Sequence, residues 1–167
     1  SLESPDKAQL RNILVENASG KIYADTPLYG PIFQSYATIV GAYVELIGGT
    51  SKKDITIEGN YLIQTANPVL ASGVLRVTGD LRIQSRNADG TFGETSGYMR
   101  LTTYGSKVMV EGDLYTQSTH IYNRWVSGTT LELKGNLYHI GDTYFGWRQI
   151  GDASAGMLLF SGKGEQH

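Results

Sequence analysis

Cysteine is absent from this chain of 167 residues, which excludes disulfides, thiolate metal ligands and a cysteine nucleophile. Proline is scarce, with 4 residues against 21 glycines, so the composition is not that of collagen or of a proline-rich linker. Charged residues make up only 18% and the formal net charge is -2, which gives no basic surface for nucleic acid and no strong attraction to anionic membranes. No apolar run approaches the roughly 18 residues of a membrane span. No signal-peptide pattern opens the chain, so we expect a mature fragment or a module of a longer protein.

Glycine and tyrosine (11 residues) are abundant instead, and the glycines mark a phrase that recurs along the chain. Four copies read DITIEGNYLIQ, VLRVTGDLRIQS, KVMVEGDLYTQS and TLELKGNLYHIG, and GMLLFSGKGEQH is a weaker fifth copy. Their glycines lie 20, 33, 23 and 27 residues apart and are Gly59, Gly79, Gly112, Gly135 and Gly162. A repeat at this period is typical of solenoid folds.

Alternation of apolar and polar residues on both sides of each glycine predicts β-strands. A two-residue hairpin at the Gly-Asp or Gly-Asn pair would place Thr78 opposite Leu81 and Lys134 opposite Leu137, which mixes polar and apolar residues on one face. When the alternation continues through the glycine, the apolar residues of each copy share one face. We therefore expect each of the five glycines to be a structural corner, where the strand bends inward and a side chain would not fit.

Stacked corners of this kind predict an all-β chain with a parallel β-helix (β-solenoid) fold, in which rungs of about 20 residues bury their apolar faces against each other. We expect one domain over residues 1–167, with irregular N-terminal rungs or a cap over 1–50 and regular rungs over 51–167. The segment YVELIGG places Gly48 in the corner register. Ser4 and Pro5 fit the start of a short N-terminal capping helix. The variable inserts between copies are expected to form outer loops.

Each of the first four glycines is followed by an asparagine or an aspartate, and stacking in register aligns these side chains in an outward column. One interpretation is a ladder of oxygen ligands for calcium or for sugar hydroxyls. The other, which we favour, is that the side chains close local turns, as Asn and Asp beside glycine often do. The column consists of Asn60, Asp80, Asp113 and Asn136.

The sequence contains no pattern that assigns a catalytic residue. The histidines, at positions 120, 139 and 167, lack the spacing of metal ligands, and a G-x-S-x-G nucleophile motif is absent. Acidic and basic residues such as Asp80, Arg82 and Asp113 allow a polysaccharide lyase or hydrolase, but their spacing does not favour one. We therefore expect no metal site and no cofactor.

Aromatic residues are concentrated between positions 115 and 147, and both tryptophans lie in inserts beside an arginine. Two of the tyrosines occupy the slot three residues after their glycine, on the outward face, so stacked rungs align them. Exposed aromatic rings with nearby hydrogen-bonding groups suit sugar rings, whereas the alternative is that the aromatics pair across rungs or cover the solenoid. The candidate carbohydrate-binding residues are Tyr115, Tyr122, Trp125, Tyr138, Tyr144 and Trp147.

The order GYMRL, KVMVEGDLYTQS, GTTLELKGNLYHIG and ASAGMLLFSGKGEQH resembles a repeat region of large surface proteins of clostridia and ruminococci. The resemblance covers residues 54–167 and does not extend to residues 1–50. It includes an aromatic insert followed by a closing unit, here Ala155–Gly164. It implies an extracellular, cell-surface location in a multidomain parent protein, and it assigns no active site.

Three functions are compatible with these features. The leading hypothesis is a non-catalytic extracellular module that binds a polysaccharide or another glycan at a bacterial cell surface. The first alternative is a structural stalk or adhesin segment of a larger surface protein, and the second is a polysaccharide lyase or hydrolase. The expected partners are a glycan and neighbouring domains of a parent chain, without nucleic acid and without membrane insertion.

Overall fold

The computed structural model describes residues 10–11, 13–16, 20–119, 124–126, 128–141 and 156–167. These residues form short strands and turns and contain no helix; the capping helix predicted from Ser4 and Pro5 lies outside them. The strands, numbered in chain order, are β1 (Leu10–Arg11), β2 (Leu14–Val15), β3 (Lys21–Tyr23), β4 (Leu28–Tyr29), β5 (Ile32–Phe33), β6 (Ala37–Val44), β7 (Leu46–Ile47), β8 (Thr50–Ser51), β9 (Ile55–Leu62), β10 (Val69–Leu70), β11 (Val74–Val77), β12 (Leu81–Ile83), β13 (Ser85–Arg86), β14 (Phe92–Gly93), β15 (Arg100–Leu101), β16 (Lys107–Val110), β17 (Leu114–Thr116), β18 (Arg124–Trp125), β19 (Thr130–Leu133), β20 (Leu137–His139) and β21 (Met157–Phe160).

The strands stack as a parallel β-solenoid of about six turns, which confirms the predicted fold class. The first face of the solenoid is the parallel sheet β3-β6-β9-β11-β16-β19-β21. The second face is built from the C-terminal half of β9 and from β12, β17 and β20, which pair in that order. Smaller parallel sheets, β1-β4-β7, β2-β5-β8-β10 and β15-β18, complete the turns. Six inter-strand spacings along the first face give a height of roughly 29 Å.

The corner between the two faces lies at the repeated glycines, as the alternation of the sequence predicts. Backbone hydrogen bonds join the corners of successive rungs: the Gly79 amide donates to the Gly59 carbonyl (2.9 Å), Gly112 to Gly79 (2.9 Å) and Gly135 to Gly112 (3.0 Å). A side chain is excluded by the neighbouring rung. A Cβ added at Gly112 would lie 2.6 Å from the Gly79 carbonyl oxygen, and one at Gly135 would lie 2.2 Å from that of Gly112.

The apolar residues on both sides of each corner form one continuous core, because the alternation runs through the glycine. Of the apolar residues predicted to share the inward face, Leu137 is only partly buried. The others are buried: Ile55, Ile57, Tyr61, Ile63, Leu75, Val77, Leu81, Ile83, Val108, Val110, Leu114, Leu131 and Leu133. Tyr61 is the largest of them, and its hydroxyl donates a hydrogen bond to the Leu46 carbonyl oxygen (3.3 Å). Burial raises the pKa of Tyr61 well above its usual value, so the hydroxyl stays protonated.

Regular stacking begins earlier than the sequence predicted. Gly41, rather than Gly48, pairs with Gly59, so Gly48 is wrong as a corner. A register shift between Gly41 and Tyr43 adds one residue, Ala42, to strand β6. The alternation of inward and outward residues therefore shifts by one position within this rung. For that reason the repeat around Gly41 is not recognisable in the sequence.

The C-terminal end of the corner column is closed by a side chain. Gly162 occupies the corner position after Gly135. The Ser161 amide, just before Gly162, donates to the Leu133 carbonyl, and the Lys134 amide, just before Gly135, donates in the same way to the Val110 carbonyl. The carbonyl oxygen of Gly135, however, accepts a hydrogen bond from the side-chain Nε2 of Gln166 (2.6 Å). The backbone amide of Gly162 donates to Oε1 of the same side chain (2.9 Å). At this corner the Gln166 side chain therefore makes the hydrogen bond to the preceding glycine carbonyl that the backbone amide of the next glycine makes at the other corners.

Candidate ligand-binding surface

The side chains that follow the corner glycines form a hydrogen-bonded column between rungs. The Asp80 amide donates to Asn60 Oδ1 (2.8 Å), Asp113 to Asp80 Oδ1 (2.9 Å) and Asn136 to Asp113 Oδ1 (2.7 Å). The His167 amide continues the pattern to Asn136 Oδ1 (3.1 Å). The local-turn interpretation was therefore wrong, because each oxygen bridges two rungs. We name these residues, Asn60 to Asn136, the Asx column.

The Asx column uses one oxygen of each member inside the protein, which leaves it poorly suited as a calcium ladder. Calcium requires six to eight oxygen ligands around one ion. Among the residues that the structure describes, no group of three or more histidines and carboxylates is placed to hold a metal ion.

A second column of stacked side chains runs beside the first, on the outside of the second face. Arg82, Tyr115 and Tyr138 are paired in register on β12, β17 and β20. The rings of Tyr115 and Tyr138 stack with their centroids 4.9 Å apart and their planes 17° apart. The Arg82 guanidinium carbon lies 3.8 Å from the Tyr115 centroid. The alignment of the two tyrosines, predicted from their common slot, is confirmed.

The stacking decides which parts of the rings can meet a ligand. Arg82 and Tyr138 lie on rungs on opposite sides of Tyr115, so both faces of the Tyr115 ring are covered and its edge remains. The Tyr115 hydroxyl lies 3.5 Å from Asp113 Oδ2. Among the described residues Tyr138 is the last ring of the stack, and it is 42% exposed. Burial first, and then the negative charges of Asp113 and Asp80, raise the pKa of the Tyr115 hydroxyl above its usual value.

A hairpin inserted after β12 extends the column toward the N-terminal rungs. Strands β13 and β14 pair antiparallel around a turn at Gly90. The hairpin positions Phe92 so that its ring contacts Tyr43 (centroids 5.5 Å apart) and lies 4.2 Å from the guanidinium carbon of Arg82. The resulting aromatic strip, which we define as Tyr43, Phe92, Arg82, Tyr115 and Tyr138, spans five rungs.

Glutamines form a row along the other border of the aromatic strip, and the sequence interpretation missed them. The Gln84 amide donates to Gln117 Oε1 (3.0 Å), and Arg82 donates to Gln84 Oε1 (3.1 Å). Gln64 donates to Glu45 (2.7 Å) on the preceding rung. The signal was present, since Gln64, Gln84 and Gln117 each lie five residues after a corner glycine.

Ion pairs link the rungs on the outside of the first face. Arg76 and Lys134 both contact Glu111 Oε1, at 2.5 Å and 3.3 Å, and Lys21 contacts Glu58 at 2.6 Å. Hydrogen bonding by Arg76 lowers the pKa of Glu111 below its usual value, with a further contribution from Lys134. The first face is therefore cross-linked by charge, whereas the second face is cross-linked by amides and stacked rings.

Glu111→Gln is expected to reduce the dependence of stability on acid pH. Because the folded pKa of Glu111 is lower than the unfolded pKa, its stabilisation is present above the unfolded pKa and is lost as pH falls through the folded pKa. Glu111 is partly exposed, so the loss at pH 7 should be about 1 kcal/mol or less. Urea unfolding at pH 7 and pH 3 measures it, with Glu94→Gln, an exposed glutamate without an ion pair among the described residues, as the control. Equal pH dependence in Glu111→Gln and the wild type would contradict the expectation.

Of the four remaining candidate residues, one lies in a described strand. The backbone of Trp125 lies in β18, opposite Leu101, in a different sheet from Tyr115 and Tyr138. Tyr122, Tyr144 and Trp147 lie outside the described residues. Their membership of one aromatic face with Tyr115 and Tyr138 stays a prediction.

Comparison with known proteins identified no relative of this chain. The chain matched no family model, no curated protein and no solved structure. In the part of the chain that the structure describes, no helix has the length and apolar character to cross a membrane.

Proposed function

We propose that this chain is a non-catalytic module that binds a polysaccharide along the aromatic strip, on the outside of a bacterial cell and within a longer surface protein. The observation that supports the binding most is the strip itself, a linear surface on which similar groups recur from rung to rung. The sequence resemblance to clostridial and ruminococcal surface repeats supports the location and the neighbouring domains as partners.

The repetition of the surface favours a ligand that also repeats. Tyrosine hydroxyls, with the carboxylate of Asp113 on one side and the amide of Gln117 on the other, offer donors and acceptors along one line. A polysaccharide presents hydroxyl groups at regular intervals, whereas a compact small molecule would contact only one rung. Sugar rings also expose apolar C–H faces, which stack on aromatic rings such as that of Tyr138.

A structural role is the second candidate, and a specific observation favours it. One oxygen of each member of the Asx column and both faces of Tyr115 are already used by contacts within the protein. Such contacts stiffen the stack whether or not a ligand binds. A stalk or adhesin segment that spaces other domains needs this stiffness and needs no free binding groups.

Tyr138→Ala is expected to weaken retention on the bound polysaccharide about tenfold or more, by analogy with the loss of a base stacked on an aromatic side chain. Trp125→Ala and Trp147→Ala carry the same expectation from the sequence. Affinity electrophoresis in gels that contain the polysaccharide measures the effect. The matched control is Tyr104→Ala, because Tyr104 is 81% exposed but lies outside the strip.

Thermal unfolding separates the two functions in the same set of variants. If Tyr138→Ala and both tryptophan variants melt early while retention is unchanged, the rings serve the fold alone and the stalk is the better proposal. If Tyr104→Ala weakens retention as much as Tyr138→Ala, binding is not located on the strip.

A further inference from the structure

An open groove lies at the N-terminal end of the aromatic strip. Its volume is about 410 Å³, in the range of small-molecule sites. It is lined by Tyr23, Ala24, Asp25, Val40, Gly41, Ala42, Tyr43 and Arg86. Tyr43 belongs both to the groove and to the strip, so the two surfaces are continuous.

The groove exists because this rung departs from the repeat. At the next four corners the residue after the glycine is a member of the Asx column, and its side chain fills the space beside the corner. Here Gly41 is followed by Ala42, and the bulge moves Tyr43 into register with Asn60. Gly41 itself has no space for a side chain, because an added Cβ would lie 2.4 Å from the Ala24 carbonyl oxygen. The floor is therefore small and apolar.

The walls carry two tyrosine rings and two charges. Tyr23 is 77% exposed. The Arg86 guanidinium packs over the ring of Tyr43, with its central carbon 4.1 Å from the ring centroid. The hairpin fixes the backbone at Arg86, whose amide donates to Gln64 Oε1 (2.8 Å). Among the described residues, Asp25 and Arg86 form no ion pair, whereas Arg76, Arg82, Lys107 and Lys134 each contact a carboxylate.

These features match the chemistry of a sugar ring. Tyrosine rings stack on C–H faces, a carboxylate accepts from two adjacent hydroxyls, and a guanidinium donates to hydroxyl or ring oxygens. The charges of Asp25 and Arg86 cancel, so a neutral ring fits better than a uronate or an amine. Gly41 and Ala42 add no large side chain to the groove, so its volume beside the two tyrosines is left for a pyranose ring.

We propose that this groove is a subsite for one neutral pyranose unit, and that it binds a unit of the polysaccharide that follows the aromatic strip. The proposal rests on the proposed function and adds to it the class of sugar and the place where one unit is held. Tyr23 and Tyr43 stack on the ring, Asp25 accepts from its hydroxyls, and Arg86 donates to its oxygens.

Two-dimensional NMR with the methyl pyranosides of glucose, galactose, mannose and N-acetylglucosamine, and with methyl glucuronide as the charged comparator, tests the groove. We expect one neutral pyranoside to shift the amides of Gly41 and Ala42 more than the glucuronide does. Tyr23→Ala and Asp25→Asn should weaken that binding about tenfold, because each removes one contact to the ring. Tyr104→Ala, an equally exposed tyrosine elsewhere, should leave it unchanged.

Polysaccharide retention, measured in parallel, distinguishes failure of the groove from failure of the function. If no pyranoside shifts Gly41 or Ala42, and Asp25→Asn leaves retention unchanged while Tyr138→Ala reduces it, the groove is not a subsite and the strip stands. If the glucuronide binds best, the neutral class is wrong. If the chain retains no polysaccharide and binds no pyranoside, both proposals fall together.

Discussion

Gly112→Val is expected to destabilise the solenoid by about 3 kcal/mol, at the upper end of the usual cost of overpacking. The new Cβ would lie 2.4 Å from Asp80 Oδ1 and 2.6 Å from the Gly79 carbonyl oxygen, so two rungs must separate at the corner. Gly112 has no positive φ, and the cost therefore arises from contact between rungs rather than from backbone strain. Urea unfolding followed by circular dichroism measures the change in the free energy of unfolding.

Gly20→Ala is the matched control for this substitution. An added Cβ at Gly20 meets no atom within 4 Å, and Gly20 has no positive φ. Its effect should stay within about 0.5 kcal/mol. An unchanged unfolding midpoint for Gly112→Val would contradict the close contact of the corners.

Asp113→Ala should lower the free energy of unfolding by about 1–3 kcal/mol, because it leaves the Asn136 amide without its acceptor in a partly buried corner. Asp113→Asn keeps Oδ1 and should change stability by about 0.5 kcal/mol or less. The chain itself already uses asparagine at two positions of this column, Asn60 and Asn136. Thermal unfolding of both variants at pH 7 gives the comparison.

The two Asp113 variants separate hydrogen bonding from charge. If the carboxylate acted mainly through its charge, for example by binding a cation, Asp113→Asn would lose as much stability as Asp113→Ala. If neither variant changes the midpoint, the hydrogen bonds between rungs contribute nothing measurable and the column has no structural role.

The regular rungs were predictable from sequence because one physical constraint recurs in each copy. An inward apolar face must continue through a corner where two backbones approach too closely for a side chain, and only glycine satisfies both conditions. This constraint is visible in the sequence at four glycines, namely Gly59, Gly79, Gly112 and Gly135. At Gly41 a bulge shifts the alternation by one residue and removes the following Asx, so the pattern is hidden.

The aromatic strip was predictable only in part. Tyr115 and Tyr138 share a slot, and sequence spacing therefore places them in one column. Phe92 and Arg86 reach the strip from a hairpin insert, and their contacts with Arg82 and Tyr43 depend on how that insert folds back. The repeat period contains no information on such contacts. The shared position of the two tyrosines in the repeat also could not reveal that Arg82 and Tyr138 cover both faces of the Tyr115 ring.

A glycan array with the purified, folded chain is the most direct test of polysaccharide binding at the strip. We expect the wild type to bind one class of polysaccharide with neutral pyranose units, Tyr138→Ala to lose most of that signal, and Tyr104→Ala to keep it. Absence of signal for every glycan from a wild-type chain that unfolds cooperatively would contradict binding. An equal signal from the wild type and Tyr138→Ala would contradict its location on the aromatic strip.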